Sequence, residues 1–196
     1  MRDNESVSRR RALVVAILAV LLLSAAPAYA GGGDYAFVGG TTAQRQQVRR
    51  ALDASAFPWS IVPARILIHL APGQDSEATP GHVYLDSNLL DGTTFGWGVV
   101  QHEYAHQVDF FLFDDATRAL LNGALGGATW YQLGRHGDAG VERFASTLAW
   151  SYWTSPANSM QPTSPTDEAA ALQPAAFRAL LEPILAAHAG AFALKR

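Results

Sequence analysis

The 196-residue sequence contains no cysteine. Disulfides are excluded, so stability has to come from a packed core or from a bound ion. Lysine is nearly absent, one against 13 arginines, a bias that says nothing about activity. Basic charge is scarce as well. Setting aside four arginines and two acidic residues among the first 30 positions leaves 10 basic and 15 acidic side chains, a net charge near −5. No basic patch survives that count, which argues against nucleic acid as a partner. There is no internal repeat, and the length suits one domain with a sizeable core. Long apolar runs are missing too, apart from residues 12–26, which are too few to span a bilayer comfortably.

That run belongs to a recognisable pattern. Arg9, Arg10 and Arg11 precede it, and Ala28-Tyr29-Ala30 follows, which is the order of a secretory signal with its cleavage site. Residues 1–30 are read as a signal peptide and 31–196 as the working domain, secreted or held in the cell envelope. The competing reading is an uncleaved anchor, and contact with a membrane is expected only in that case. Ser8-Arg9-Arg10 hints at a twin-arginine signal, whereas the very apolar run favours the general export route.

Further along, "TTAQRQQVRRALDASAF" predicts a helix capped by Thr41 or Thr42, with Val48, Leu52 and Phe57 on one face and Pro58 as terminator. "ARILIHL" (64–70) and "HVYLD" (82–86) predict strands, with "APGQDSEATPG" as the loop between them. Apolar residues at helical spacing run from Trp97 to Phe113. A short helix in "DDATRALLNGALGG", with Asp114 or Asp115 as its cap, and an apolar helix over 140–153 follow. "TSPANSMQPTSPTDE" is expected to be a flexible connection, and the last helical region to be interrupted at Pro174 and Pro183. Trp97, Trp130, Trp150 and Trp153 are read as core residues, and His69 and His82 as core, rim or surface histidines.

The chemistry is concentrated in "VVQHEYAHQVDFF", residues 99–111. On a helix, residues four apart share a face, so His102 and His106 aim two imidazoles at one spot. Glu103 is rotated by about 100° and flanks that spot. This is the H-E-x-x-H arrangement, with two zinc ligands and a carboxylate placed to take a proton from the ion's water. Random placement of six histidines and six glutamates would produce it about 0.005 times. Three polar residues in an apolar helix also need a reason to be buried.

A catalytic zinc wants a third protein ligand. The position six beyond His106 is Leu112, which cannot serve. Asp109 lies too far along the axis to join both histidines, but is placed to accept an imidazole N–H from outside the ligand set. Glu142 opens the apolar helix "VERFASTLAW". A lone carboxylate there is costly to bury unless it is paired or bound to a metal. The alternative is an acid favoured by the helix N-terminus.

"HEYAHQVDFF" followed by "VERFASTLAW" resembles the gluzincin metallopeptidases, most of all the compact protease domain of the anthrax lethal factor type. The likeness covers roughly residues 64–153. It implies an α+β, zincin-like single domain with a small mixed sheet, an H-E-x-x-H helix and a following glutamate helix. Zn2+ would be held by His102, His106 and Glu142, with Glu103 as the catalytic base. It implies a secreted peptidase that cleaves peptide or protein substrates with a zinc-activated water. The substrate would lie along an edge strand at Val83, Tyr84 and Leu85. Two departures stand out. Many gluzincins carry an acid four residues after the ligand glutamate, where this chain has Ser146. The family's oxyanion-stabilising Tyr or His has no matching spacing, with Tyr131 and His136 as the candidates beside their reading as plain loop residues. The alternative function is a secreted zinc-binding or cell-envelope interaction protein without turnover, which an intact Glu103 argues against.

Overall fold

The computed structural model describes residues 32–131 and 136–193, so the signal-peptide expectation lies outside the described residues. The described chain is a mixed helix-and-sheet architecture, compatible with the α+β expectation. Its strands are β1 (Tyr35–Gly39), β2 (Ile66–Ala71), β3 (Glu77–Thr79) and β4 (His82–Asp86). Its helices are α1 (Thr42–Ala54), α2 (Phe95–Leu112), α3 (Asp115–Leu125), α4 (Gly140–Tyr152) and α5 (Pro174–Ala193). No described helix is long and apolar enough to cross a membrane.

The sheet order is β1-β2-β4-β3, with β1, β2 and β4 parallel and β3 antiparallel to β4. Alternation along β2 and β4 turns Ile66, Ile68, Leu70, Val83 and Leu85 into the core. Val48 and Leu52 of α1 and Val100, Tyr104 and Val108 of α2 are buried in the same cluster. Helix α1 begins at a capping box, in which Gln44 N–H donates to Thr41 Oγ1 and Thr41 N–H donates to the Gln44 side chain. Asp114 caps α3 by accepting from Thr117 N–H, and Gly126 ends it in the left-handed region at φ 68°.

Helix α2 is central. It is buried on nearly all sides, which explains why its sequence is apolar around the whole circumference. Gln107 has no exposure and ties α2 to the β3–β4 turn. Its amide donates to the carbonyls of Thr79 and His82 and accepts from Gly81 N–H. Helix α4 makes the most extensive helix contact with α2. Gly140 lets α4 start close to the preceding loop, because a Cβ there would run into Asn122 Oδ1 and the Trp130 ring.

Several expectations need correction. The edge strand beside α2 is β3, not the His82–Asp86 strand. Since β4 pairs with β2 on one side and, over His82–Tyr84, with β3 on the other, Val83 and Tyr84 have no free main-chain edge; the Leu85 carbonyl accepts from the Gln74 amide, and Val83 and Leu85 are buried. β3 lies within the expected loop, since "EAT" has no apolar alternation; it is a strand because β4 offers it a partner. β1, which follows directly on the glycine-rich leader, is a strand for the same reason against β2. Pro174 is the first residue of α5, where its missing N–H is harmless, and α5 continues through Pro183. Segment 154–173 is not a loose connection. Asn158 and Ala169 are buried, Asn158 donates to the carbonyls of Ala149 and Trp153, and a 3-10 turn at Glu168–Ala170 packs on α4. Of the tryptophans read as core, Trp130 is buried, whereas Trp97, Trp150 and Trp153 are half-buried; the innermost is Trp59.

Candidate metal centre

Helix α2 presents His102 and His106 one turn apart, and the first turn of α4 presents Glu142 to them. His102 Nε2 lies 3.3 Å from His106 Nε2. Glu142 Oε2 lies 3.2 Å from the first and 3.4 Å from the second. These three atoms form a nearly equilateral triangle. Four ligands placed tetrahedrally at about 2.0–2.1 Å from an ion stand about 3.3 Å apart. The triangle therefore matches one face of such a tetrahedron, and the group His102, His106 and Glu142 can hold a metal ion.

The hydrogen-bond network fixes which nitrogen of His102 is free. Ser146 Oγ donates its one proton to Glu168 Oε2 at 2.6 Å, a far better acceptor than the Met160 sulfur at 3.7 Å. The hydroxyl can then only accept from His102 Nδ1, which lies 3.0 Å away. His102 must carry its proton on Nδ1, and the neutral imidazole turns the Nε2 lone pair toward His106 and Glu142.

Electrostatics also favour a cation here. Once protonated, His102 can also donate Nε2–H to Glu142: burial acts to lower its pKa, but that bond and the charges of Glu103, Glu142 and Glu168 outweigh it, and the net shift is upward. Burial acts to raise the Glu142 pKa, yet hydrogen bonds with His102, His106 and His136 hold its carboxyl well below the usual range. Glu103 behaves differently. Burial keeps its carboxyl above the ordinary value despite the nearby histidines. It lines a cleft of about 260 Å³ together with Ala78, His106, Phe110, Tyr131 and Glu142. Among the described residues it has no hydrogen-bond partner, so its lone pairs face the cleft.

His136 also lines the cleft. Its Nε2 lies 3.0 Å from Glu142 Oε2 and its Nδ1 2.7 Å from Glu168 Oε1, and those two bonds raise its pKa. Tyr131 is at the cleft wall, but its hydroxyl donates to Asp109 Oδ2 at 2.6 Å. Burial and that bond push the hydroxyl up to about 12, so it keeps its proton and already gives it to Asp109.

Asp109 is not the imidazole partner expected of it. Besides Tyr131 it accepts from Arg118 Nε at 2.8 Å and Trp130 Nε1 at 3.1 Å, and among the described residues none of its bonds reaches a histidine. Helical spacing put it near the right face, but three donors from α3 and the following loop converge on it, and they satisfy the buried carboxylate. Asp109→Asn is accordingly expected to lower the unfolding free energy of the metal-free protein by about 1–3 kcal/mol, with metal affinity unchanged. Urea titration and metal competition check both halves; a tenfold loss of affinity at unchanged stability would return Asp109 to the site.

Glu168 is the residue that sequence reading missed. The one signal was Ser146 standing where an acid is common; nothing in the sequence said which distant acid would stand behind it. Compared with protein-family models, with curated proteins and with solved structures, the chain matches none.

Proposed function

We propose that this chain is a zinc-dependent peptidase of the gluzincin kind, acting outside the cytoplasm. The observation that carries the reading is the ligand triangle on an H-E-x-x-H helix, with an unengaged carboxylate on the adjoining cleft. His102, His106 and Glu142 would hold the ion; imidazole nitrogen with one carboxylate oxygen is a donor set that suits zinc. When bound, zinc supplies a Lewis acid for a carbonyl oxygen and makes hydroxide available near neutral pH. Glu103 takes the proton of the attacking water and later gives it to the leaving amine, a task suited to a carboxyl whose pKa burial raises. A zincin-like arrangement is supported by the antiparallel edge strand running beside α2 and by the second helix bearing the glutamate. An extended peptide would add to the free edge of β3 through main-chain hydrogen bonds, which Gln107 helps by holding that hairpin on α2. Export is supported by the pattern of residues 1–30.

The test is elemental analysis of protein purified without chelator, joined to cleavage of a mixed peptide pool. One zinc per chain and cleavage that stops on chelation and returns with Zn2+ are expected. Absence of stoichiometric metal would sink the assignment of the site, and bound zinc with no cleavage of any peptide would sink the peptidase.

A further inference from the structure

Four hydrogen-bonded contacts and the His102–Glu142 contact close a ring around the candidate metal centre. Glu168 Oε2 accepts from Ser146, Ser146 accepts from His102, and His102 Nε2 meets Glu142 Oε2. Glu142 Oε2 also meets His136 Nε2, and His136 Nδ1 returns to Glu168 Oε1. Both oxygens of one carboxylate are thus committed, one toward each of two ligands. Helical spacing explains the first arm, since Ser146 lies one turn beyond Glu142 on the same face of α4. The second arm crosses from the 3-10 turn at His136–Asp138 to the one at Glu168–Ala170.

The turn that carries Glu168 is built to stay in place. Asp167 Oδ2 accepts from Thr163 N–H, the Thr163 hydroxyl and Ser164 N–H. Ala169 is buried against α4, and Asn158 anchors the start of the segment on the last turn of that helix.

We propose that Glu168 is a positioning residue that orients His102 through Ser146 and Glu142 through His136, and that docking of the 158–170 segment is thereby linked to metal binding. The inference rests on His102, His106 and Glu142 being the ligands, and not on what the site hydrolyses. Linkage is reciprocal: whatever Glu168 adds to zinc affinity, zinc adds to the docking of the segment. Ligand partners of this kind typically change affinity by about 10–100-fold when removed.

The experiment measures Zn2+ affinity by chelator competition, and amide hydrogen exchange over 158–170 with and without Zn2+. Wild type, Glu168→Ala, Glu168→Gln, Ser146→Ala and the Glu168→Ala/Ser146→Ala double variant are compared. Glu168→Ala is expected to lose about 10–100-fold in affinity, and Glu168→Gln, which keeps the volume should the alanine variant not fold, to lose less. The double variant should lose less than the product of its singles, because both cut the same arm to His102. Zn2+ should slow exchange across 158–170 in wild type and leave it unchanged in Glu168→Ala. Wild-type affinity in both Glu168 variants, strictly multiplicative losses, or equal falls in the Tm of metal-free and zinc-loaded Glu168→Ala would overturn the proposal. A wild-type protein that takes up no zinc would sink the reading of the site with it, whereas undiminished affinity in the Glu168 variants sinks this inference alone.

Discussion

In the Glu103→Gln variant, zinc is expected to stay bound at the wild-type affinity while peptide hydrolysis falls by about 10²–10⁴-fold, the usual contribution of a positioned acid–base group. The substitution keeps size and hydrogen-bonding reach and removes only the ability to take and release a proton. Glu103 is not among the three atoms of the ligand triangle, so its loss leaves the ion's hold intact. Its carboxylate borders the cleft and is kept above the ordinary carboxylate range by burial. Removing that buried charge should, if anything, stabilise the fold slightly. The measurement is a pair: zinc content with kcat/KM on a responsive peptide. Retained zinc with undiminished turnover would give Glu103 a role other than the base.

Glu142→Ala should release the ion. Two histidine nitrogens alone leave a site without its anionic ligand, and His136 cannot replace it where it stands. The group of ligand atoms close enough to share an ion, among the described residues, is His102, His106 and Glu142; His136 stands outside it, and its Nδ1 stays held by Glu168 Oε1 when Glu142 is removed. Metal that binds the folded chain and not the unfolded one stabilises it by about 4 kcal/mol when free zinc is a thousand times Kd. The variant should therefore melt at the temperature of chelator-stripped wild type, and added Zn2+ should no longer raise its Tm. If Glu142 were only an acid at the N-terminus of α4, the variant would keep its zinc and lose about 1 kcal/mol. Calorimetry with and without Zn2+ separates the two outcomes cleanly.

The parts of the site that could be read in advance are those encoded within one helix. His102, Glu103 and His106 follow from spacing alone, because an α-helix converts a separation of four residues into a shared face whatever surrounds it. Glu142 required a longer inference, from the oddity of one carboxylate opening an apolar helix, and the geometry brings it to the histidines. Asp109 shows where spacing stops being enough. Its angle around α2 was right, but the side chain answers to Arg118, Trp130 and Tyr131, none of which the helix itself can specify.

What the sequence determined by itself is local: the helix and strand segments with strong periodicity, two helix caps to within one residue, and the imidazole pair. The tertiary structure decided what depends on partners distant along the chain. "EAT" is a strand only because β4 leaves an edge to pair with, and β4 loses its own free edge by the same event. Pro183 sits inside a continuous helix whose buried Phe177, Leu181 and Leu185 hold it against the core. Glu168 comes to stand behind the candidate metal centre because segment 154–173 folds back onto α4, which sets its two oxygens against Ser146 and His136. A carboxylate carries no sequence mark of the donors it will meet. Burial and hydrogen bonding select them only once the helices have packed, since a polar group removed from water must find its partners among whatever the fold brings near.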